Sequence, residues 1–188
     1  MARDFSKYSD EELVELTARQ NTLAFASLVN RYKSDIASVV RGMLGNVAEV
    51  EDVGLEVFVR FYNSAKNFRG ESSVKTYLTR IAINLSLNEI KRRKRKRWLS
   101  FEEKPKEDIS LNDDFSKQET KELVDMALNQ LEPKFKSVIV LRLIQGYSTK
   151  EVAEILDLPI GTVLSRLSRA QQKLRQIILS LEKTYDHG

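Results

Sequence analysis

Apolar residues recur along this chain at the three- and four-residue spacing that places them on one side of a helix, and the pattern reads as all-α. Ser9, with Glu12 three residues on, makes a capping box that opens a short first helix. A second helix is expected over residues 22–44, with Phe25, Leu28, Val29, Tyr32, Ile36, Val39, Val40 and Met43 on its apolar side, and Gly45 with Asn46 ends it. A third, over residues 47–62, carries acids at its start, where they complement the helix dipole, and its apolar face holds Val50, Val53, Val57, Phe58 and Phe61. Residues 63–73 form a polar loop. A fourth helix follows with Tyr77, Leu78, Ile81, Ala82, Leu85 and Leu87, before it ends in the run KRRKRKR at residues 91–97. Four such helices can enclose one core.

Past that run the character changes. Between Ser100 and Asp125 nine acids face four lysines, a local balance of −5, and Pro105 sits in a polar stretch. Residues 98–116 read as a flexible acidic linker, either simply solvated or following a basic channel on a partner. Helical periodicity resumes near Lys117 with Leu123, Val124, Ala127, Leu128 and Leu131. The chain therefore divides into two small helical domains, residues 1–97 and 117–188, joined by an acidic tether.

Residues 148–178 have the layout of a helix-turn-helix. Ser148 caps the first helix with Glu151 completing a capping box, and Val152, Ile155 and Leu156 make its buried face. Leu158 and Pro159 break it, because proline lacks an amide hydrogen yet is accepted in the first turn of a new helix. On the second helix Val163, Leu167, Leu174 and Ile178 fall on one side, leaving Thr162, Ser165, Arg166, Arg169, Gln172 and Arg175 to face a partner. Its basic residues can neutralise phosphates while Ser, Thr and Arg side chains reach base edges in a major groove.

Composition narrows the function classes. In 188 residues, 41% are hydrophobic and 31% charged, yet the net charge is only +4, so the placement of charge matters more than its sum. No cysteine is present, which removes disulfides and thiol ligands. The N-terminus lacks a secretory pattern and no segment is long enough to span a bilayer, so a cytoplasmic chain without membrane insertion is expected. The single histidine, His187, lies at the tail. With no carboxylate cluster at metal-site spacing, no phosphate-binding glycine loop and no nucleophile with a base, neither catalysis nor a cofactor nor a metal is expected.

The basic run cannot lie wholly on one strand, since neighbouring residues differ by about 100° around a helix. Its context gives it meaning. Just upstream lie Lys75, Tyr77, Arg80, Asn84 and Asn88, and the preceding loop offers Asn67, Phe68, Arg69, Glu71, Ser72 and Ser73. Cations, amides and rings in one neighbourhood suit single-stranded nucleic acid, where phosphates are attracted, bases stack and amides distinguish base edges. Tyr77 and Phe68 are equally explained as core residues. Glu51, Asp52 and Glu56 form an acidic stripe on the third helix, facing either a partner or solvent.

Together the segments FASLVNRYKSDI, EDV with EVF, NFRG and KTYLTRIAINLSLNEIKRR, followed by LEPKFKSVIVLRLIQGYSTKEVAEIL and PIGTVLSRLSRAQQKLR, resemble bacterial sigma factors of the extracytoplasmic-function group. These are compact members of the sigma-70 family that keep only regions 2 and 4. The resemblance implies a four-helix region 2 and a helix-turn-helix region 4, in a subunit that binds core RNA polymerase, directs it to promoters and helps open the DNA. It implies that Asp52, Leu55, Glu56 and Phe58 dock on the core enzyme. It implies that Asn67, Phe68, Arg69, Ser72, Tyr77, Arg80, Asn84, Asn88 and Arg92 recognise the minus-ten element, capturing an unstacked base of the non-template strand. Lys150, Thr162, Ser165, Arg166 and Arg169 would read the minus-thirty-five element as duplex. An anti-sigma factor is a further expected partner.

The chain departs from that pattern at four places. Leu55 stands where glutamine is usual, Tyr77 where tryptophan is common, Asn88 where an acid is common and Leu164 where a basic residue is common. Leu55 removes a polar contact at the expected polymerase face, and Leu164 removes a phosphate or base contact. A stand-alone helix-turn-helix regulator is the alternative reading, although it leaves the NFRG loop and the basic run without a role.

Overall fold

The computed structural model describes residues 5–100 and 117–185. Eight α-helices make up most of them: α1 (Asp10–Ala18), α2 (Thr22–Leu44), α3 (Glu49–Ser64), α4 (Val74–Ser100), α5 (Lys117–Gln130), α6 (Pro133–Ile139), α7 (Thr149–Leu156) and α8 (Ile160–Tyr185). No strand occurs among the described residues.

The starts of these helices follow from their caps. Ser9 Oγ accepts from the Glu12 amide at 3.2 Å while the Glu12 carboxylate accepts from the Ser9 amide at 2.7 Å, satisfying two otherwise orphaned donors of α1. Asn21 caps α2 by accepting from the amides of Leu23 and Ala24 at 3.1 and 3.0 Å. Gly45 closes α2 at φ 80°, a conformation that a Cβ would strain. Ser148 and Glu151 form the second capping box, at 3.2 and 2.8 Å, and start α7.

Helix α4 overruns the expected boundary. Trp98, Leu99 and Ser100 continue it past the basic run. Lysine and arginine are good helix formers, and the run places no helix breaker before Pro105. The acidic stretch expected as a tether lies, for residues 101–116, outside the described residues. In the C-terminal half, α6 passes directly into a π-helical turn at Val140–Ile144 that ends at Gly146 with φ 73°.

Leu13, Leu28, Ile36, Val57, Phe61, Leu78 and Ile83 are fully buried between α1 and α4, and Val138, Leu141, Val152, Ile155, Val163 and Ala170 between α6 and α8. The two sets join in one continuous hydrophobic cluster. Gly42 explains part of that contact: a Cβ there would fall 2.9 Å from Val140 Cγ1, so only glycine lets α2 and the π-helical turn approach this closely. Polar bonds reinforce the contact between the halves. The Thr79 and Tyr147 hydroxyls share a buried hydrogen bond of 2.7 Å, and Gln145 Nε2 donates to Ser38 Oγ at 2.8 Å. Lys75 lies 5.8 Å from the centre of the Tyr147 ring and pairs with Asp35 at 2.7 Å.

Candidate nucleic-acid interface

Helix α4 carries most of the site because its polar residues recur every fourth position. Arg80, Asn84, Asn88 and Arg92 follow one another at i, i+4, i+8 and i+12, with Tyr77 one turn before, and share a single side of the helix. Asn84 and Asn88 are exposed. Ser73 sets the start of this stripe by accepting from the Thr76 amide at 3.0 Å.

The loop before α4 folds over the upper end of the stripe and encloses a groove of about 410 Å³, lined by Asn67, Phe68, Arg69, Ser72, Tyr77, Arg80 and Glu154. Gly70 turns the loop at φ 69°. Phe68 and Tyr77 are half-buried, their ring centres 5.3 Å apart at a steep angle, and Tyr77 also meets Phe61 edge-on at 6.2 Å. The Tyr77 hydroxyl donates to Ser64 Oγ at 3.2 Å, which fixes the ring without burying it. Each ring packs on the core and also lines the groove. Asn67 and Arg69 stand exposed at the rim.

Glu154, on the helix-turn-helix side, closes one wall. Arg80 Nη2 donates to its backbone carbonyl at 2.8 Å and lies 3.9 Å from its carboxylate. The Arg80 Nε is buried without a hydrogen-bond partner among the described residues. Arg92 at the lower end is pinned by Glu89, whose carboxylate accepts from Arg92 Nε and Nη2 at 2.7 and 2.9 Å and from Arg93 Nε at 2.8 Å. The hydrogen bond from Arg92, above all, holds the Glu89 carboxyl below its ordinary range against the opposing effect of burial. Arg93 also reaches Glu49 at 3.0 Å, tying α4 to the start of α3.

On α3 the expected docking residues separate. Asp52 is exposed, Leu55 is 67% exposed, and Glu56 pairs with Arg60 at 2.8 Å. Phe58 corrects the expectation: its ring is 5% exposed and belongs to the core, so it supports the helix and presents nothing to a partner. Position 58 lies three residues past Leu55, on the flank that turns towards α2 and α4. Val59, one turn after Leu55, is 44% exposed. A second groove, of about 380 Å³, runs between α3 and α4 and brings Asp52 and Glu56 against Asn88 and Arg92.

In the helix-turn-helix, Asp157 adopts the left-handed conformation at φ 52° and ends α7, and the Pro159 carbonyl accepts from the Thr162 and Val163 amides to start α8. Val163 and Ala170 are buried, with Leu167, Leu174, Ile177 and Ile178 half-buried beside them. Lys150, Ser165 and Arg169 are exposed, whereas Thr162 and Arg166 are half-buried on one flank. Ser165 donates to the Thr162 carbonyl at 3.0 Å. Residues 160–181 contain no acid, so the outward face of α8 favours an anion.

Sequence reasoning passed over Glu154, Tyr147 and Glu89. The first two act across the two halves and leave no local signal, but the spacing of Glu89 to Arg92 and Arg93 at i+3 and i+4 was visible. Among the described residues there is no cluster of three metal-ligating side chains, and no helix is long and apolar enough to cross a membrane.

Residues 28–96 match the family model for Sigma-70 region 2 and residues 121–174 that for Sigma-70, region 4. The ECF RNA polymerase sigma factor SigW of Bacillus subtilis is 32% identical over 169 residues, covering 84% of this chain and 90% of the relative. The ECF RNA polymerase sigma-E factor of Haemophilus influenzae is 30% identical over 92% of this chain and 97% of its own. Among solved structures, CnrH in complex with the cytosolic domain of CnrY matches with a TM-score of 0.68 at 25% identity, over 91% of this chain and 97% of that one. Both halves are accounted for in order, which a stand-alone regulator does not explain. The chain belongs to the extracytoplasmic-function sigma factors of the sigma-70 family, the initiation subunits that bind core RNA polymerase and direct it to promoter DNA.

Proposed function

We propose that the two halves divide promoter recognition between them. Residues up to 100 act as region 2, which docks on the polymerase and recognises and melts the minus-ten element. Residues from 117 act as region 4, which reads the minus-thirty-five element, and the acidic segment between them serves as a tether. The carrying observation is the groove beneath residues 67–72, where half-buried rings, two guanidinium groups and the exposed Asn67 amide converge at the end of one polar stripe.

In this reading Phe68 and Tyr77 offer faces to an unstacked base, and Asn67, Ser72 and Asn84 supply donors and acceptors to its edges. Arg69 and Arg80 attract the flanking phosphates, with Asn88 and Arg92 following the strand upstream. A captured base exchanges its stacking in the duplex for contacts in the groove, which gives melting its driving force. Arg169, Ser165 and Thr162 face the major groove of the upstream duplex, while Lys150 and Arg166 hold its phosphates. Asp52, Leu55 and Glu56 make the polymerase contact.

The polymerase performs all bond-making, and this chain catalyses nothing. It works in the cytoplasm, where the polymerase is. CnrH was solved with a second chain seated on it, and a regulatory anti-sigma factor is the third partner in this reading.

The test is to combine the purified chain with bacterial core polymerase and genomic DNA and to sequence the RNA 5′ ends that depend on it. Discrete starts sharing two upstream elements are expected. Dependent starts that share only a downstream element would remove the assignment of α8.

A further inference from the structure

The first turns of α8 carry two large exposed side chains that phosphate attraction and hydrogen bonding leave unexplained. Leu164 is 52% exposed and Ile160, one turn earlier, is 50% exposed; neither belongs to the continuous core. Both sit in the first turns of the second helix of the helix-turn-helix, the part that enters a major groove. Ser165, Ser168 and Arg169 are exposed on the same helix, away from the buried Val163 and Ala170. At Gly161 nothing lies within 4 Å of where a Cβ would stand, so the approach to Leu164 is open.

Exposed apolar groups beside cations and hydroxyls, in a stretch (residues 160–181) without an acid, fit a surface that is anionic in its backbone and apolar at particular points. Duplex DNA offers one apolar group in its major groove, the 5-methyl of thymine. We propose that Leu164, buttressed by Ile160, reads the 5-methyl groups of thymines in the minus-thirty-five element, so that part of this chain's upstream specificity is carried by apolar contact. This rests on the assignment of α8 as the upstream reader. The contact is short-ranged and makes no hydrogen bond, so it distinguishes thymine from cytosine by the methyl group alone. A basic residue at the same position would instead gain affinity from phosphates or guanine without that preference.

The experiment uses holoenzyme reconstituted from the full chain. An upstream element is first enriched from promoters with a randomised spacer-proximal duplex, and each of its thymines is then replaced singly by uracil, which lacks only the methyl. At one or two thymines the replacement is expected to weaken promoter binding about fourfold, the effect of withdrawing one buried methyl group. Leu164→Ala is expected to abolish that difference while keeping the preferences at other positions. Silent uracil replacements throughout an enriched element, or an effect that persists in Leu164→Ala, would overturn the inference and leave the apolar pair to a protein partner. Failure to enrich any upstream element is a separate result, and overturns the assignment of α8 together with the inference.

Discussion

Arg80 on α4 and Glu154 on α7, 74 residues apart, are joined by a 2.8 Å hydrogen bond from the guanidinium to the Glu154 backbone carbonyl. The Glu154 carboxylate stands 3.9 Å from the same nitrogen and lines the groove under the NFRG loop. A residue proposed to meet the minus-ten strand is thus held by the first helix of the upstream reader, and a negative charge stands where phosphate would approach.

Removing that charge should favour DNA in the free chain. Glu154→Gln keeps the backbone carbonyl and the side-chain size, and is expected to tighten binding of a single-stranded minus-ten oligonucleotide about fivefold, the scale of two unit charges about 4 Å apart in water. Fluorescence anisotropy with a labelled strand measures it. Unchanged affinity would mean that the groove opens away from α7 before the strand enters.

Leu55 and Phe58 should separate docking from folding. Leu55→Ala is expected to weaken core polymerase binding by about 1–2 kcal/mol, measured by competition with a labelled sigma factor, while thermal stability stays unchanged. Phe58→Ala empties a buried site and should destabilise the fold by about 3–5 kcal/mol. Equal stability losses in the two variants would contradict their opposite burial.

Phe68→Ala is expected to slow open-complex formation about tenfold or more, given that base stacking on an aromatic ring contributes about 1–3 kcal/mol, and Asn84→Ala is expected to slow it through loss of a hydrogen bond to a base edge. Permanganate reactivity of minus-ten thymines reports opening, and duplex binding in the same reactions should change less. Full reactivity in both variants would remove the groove from the melting step.

Arg169→Ala is expected to lose about 1–3 kcal/mol of discrimination between the enriched upstream element and random duplex if it makes a bidentate base contact. Equal losses on both duplexes, with a shallower salt dependence, would mark a phosphate contact instead.

Glu89 gives stability a pH dependence of known sign. Its carboxyl titrates lower in the folded chain than in the unfolded one, so its contribution is complete above the ordinary carboxylate range near pH 4.3 and is lost as pH falls through the lower folded value. Urea midpoints of wild type and Glu89→Gln should therefore differ most near pH 7 and converge on acidification. A constant gap would show that Arg92 and Arg93 find other partners.

The helices were legible because their signals are local. Ser9 with Glu12 and Ser148 with Glu151 formed the capping boxes their spacing announces, and the periodic apolar residues of α2 and α3 turned inward as expected. The polar stripe of α4 was legible for the same reason. Periodicity placed Phe58 on the apolar face of α3, where it lies, and only the family resemblance assigned it to docking. Gly42 against Val140, Thr79 with Tyr147 and Arg80 with Glu154 pair residues far apart in sequence, and their types alone carry no sign of the pairing. The helical continuation through Trp98 was masked by the charge change that follows it.

The 27 unbroken residues of α4 also work as a ruler. At about 1.5 Å per residue, the 20 steps from Tyr77 to Arg97 span roughly 30 Å, the length of about nine base pairs of B-form DNA. On the proposed reading, a base held at the groove and phosphates met by the basic run are kept in fixed register by one rod. Inserting a single helical turn after Asn88 would lengthen the gap by about 5.4 Å and carry the run out of step with the strand it follows.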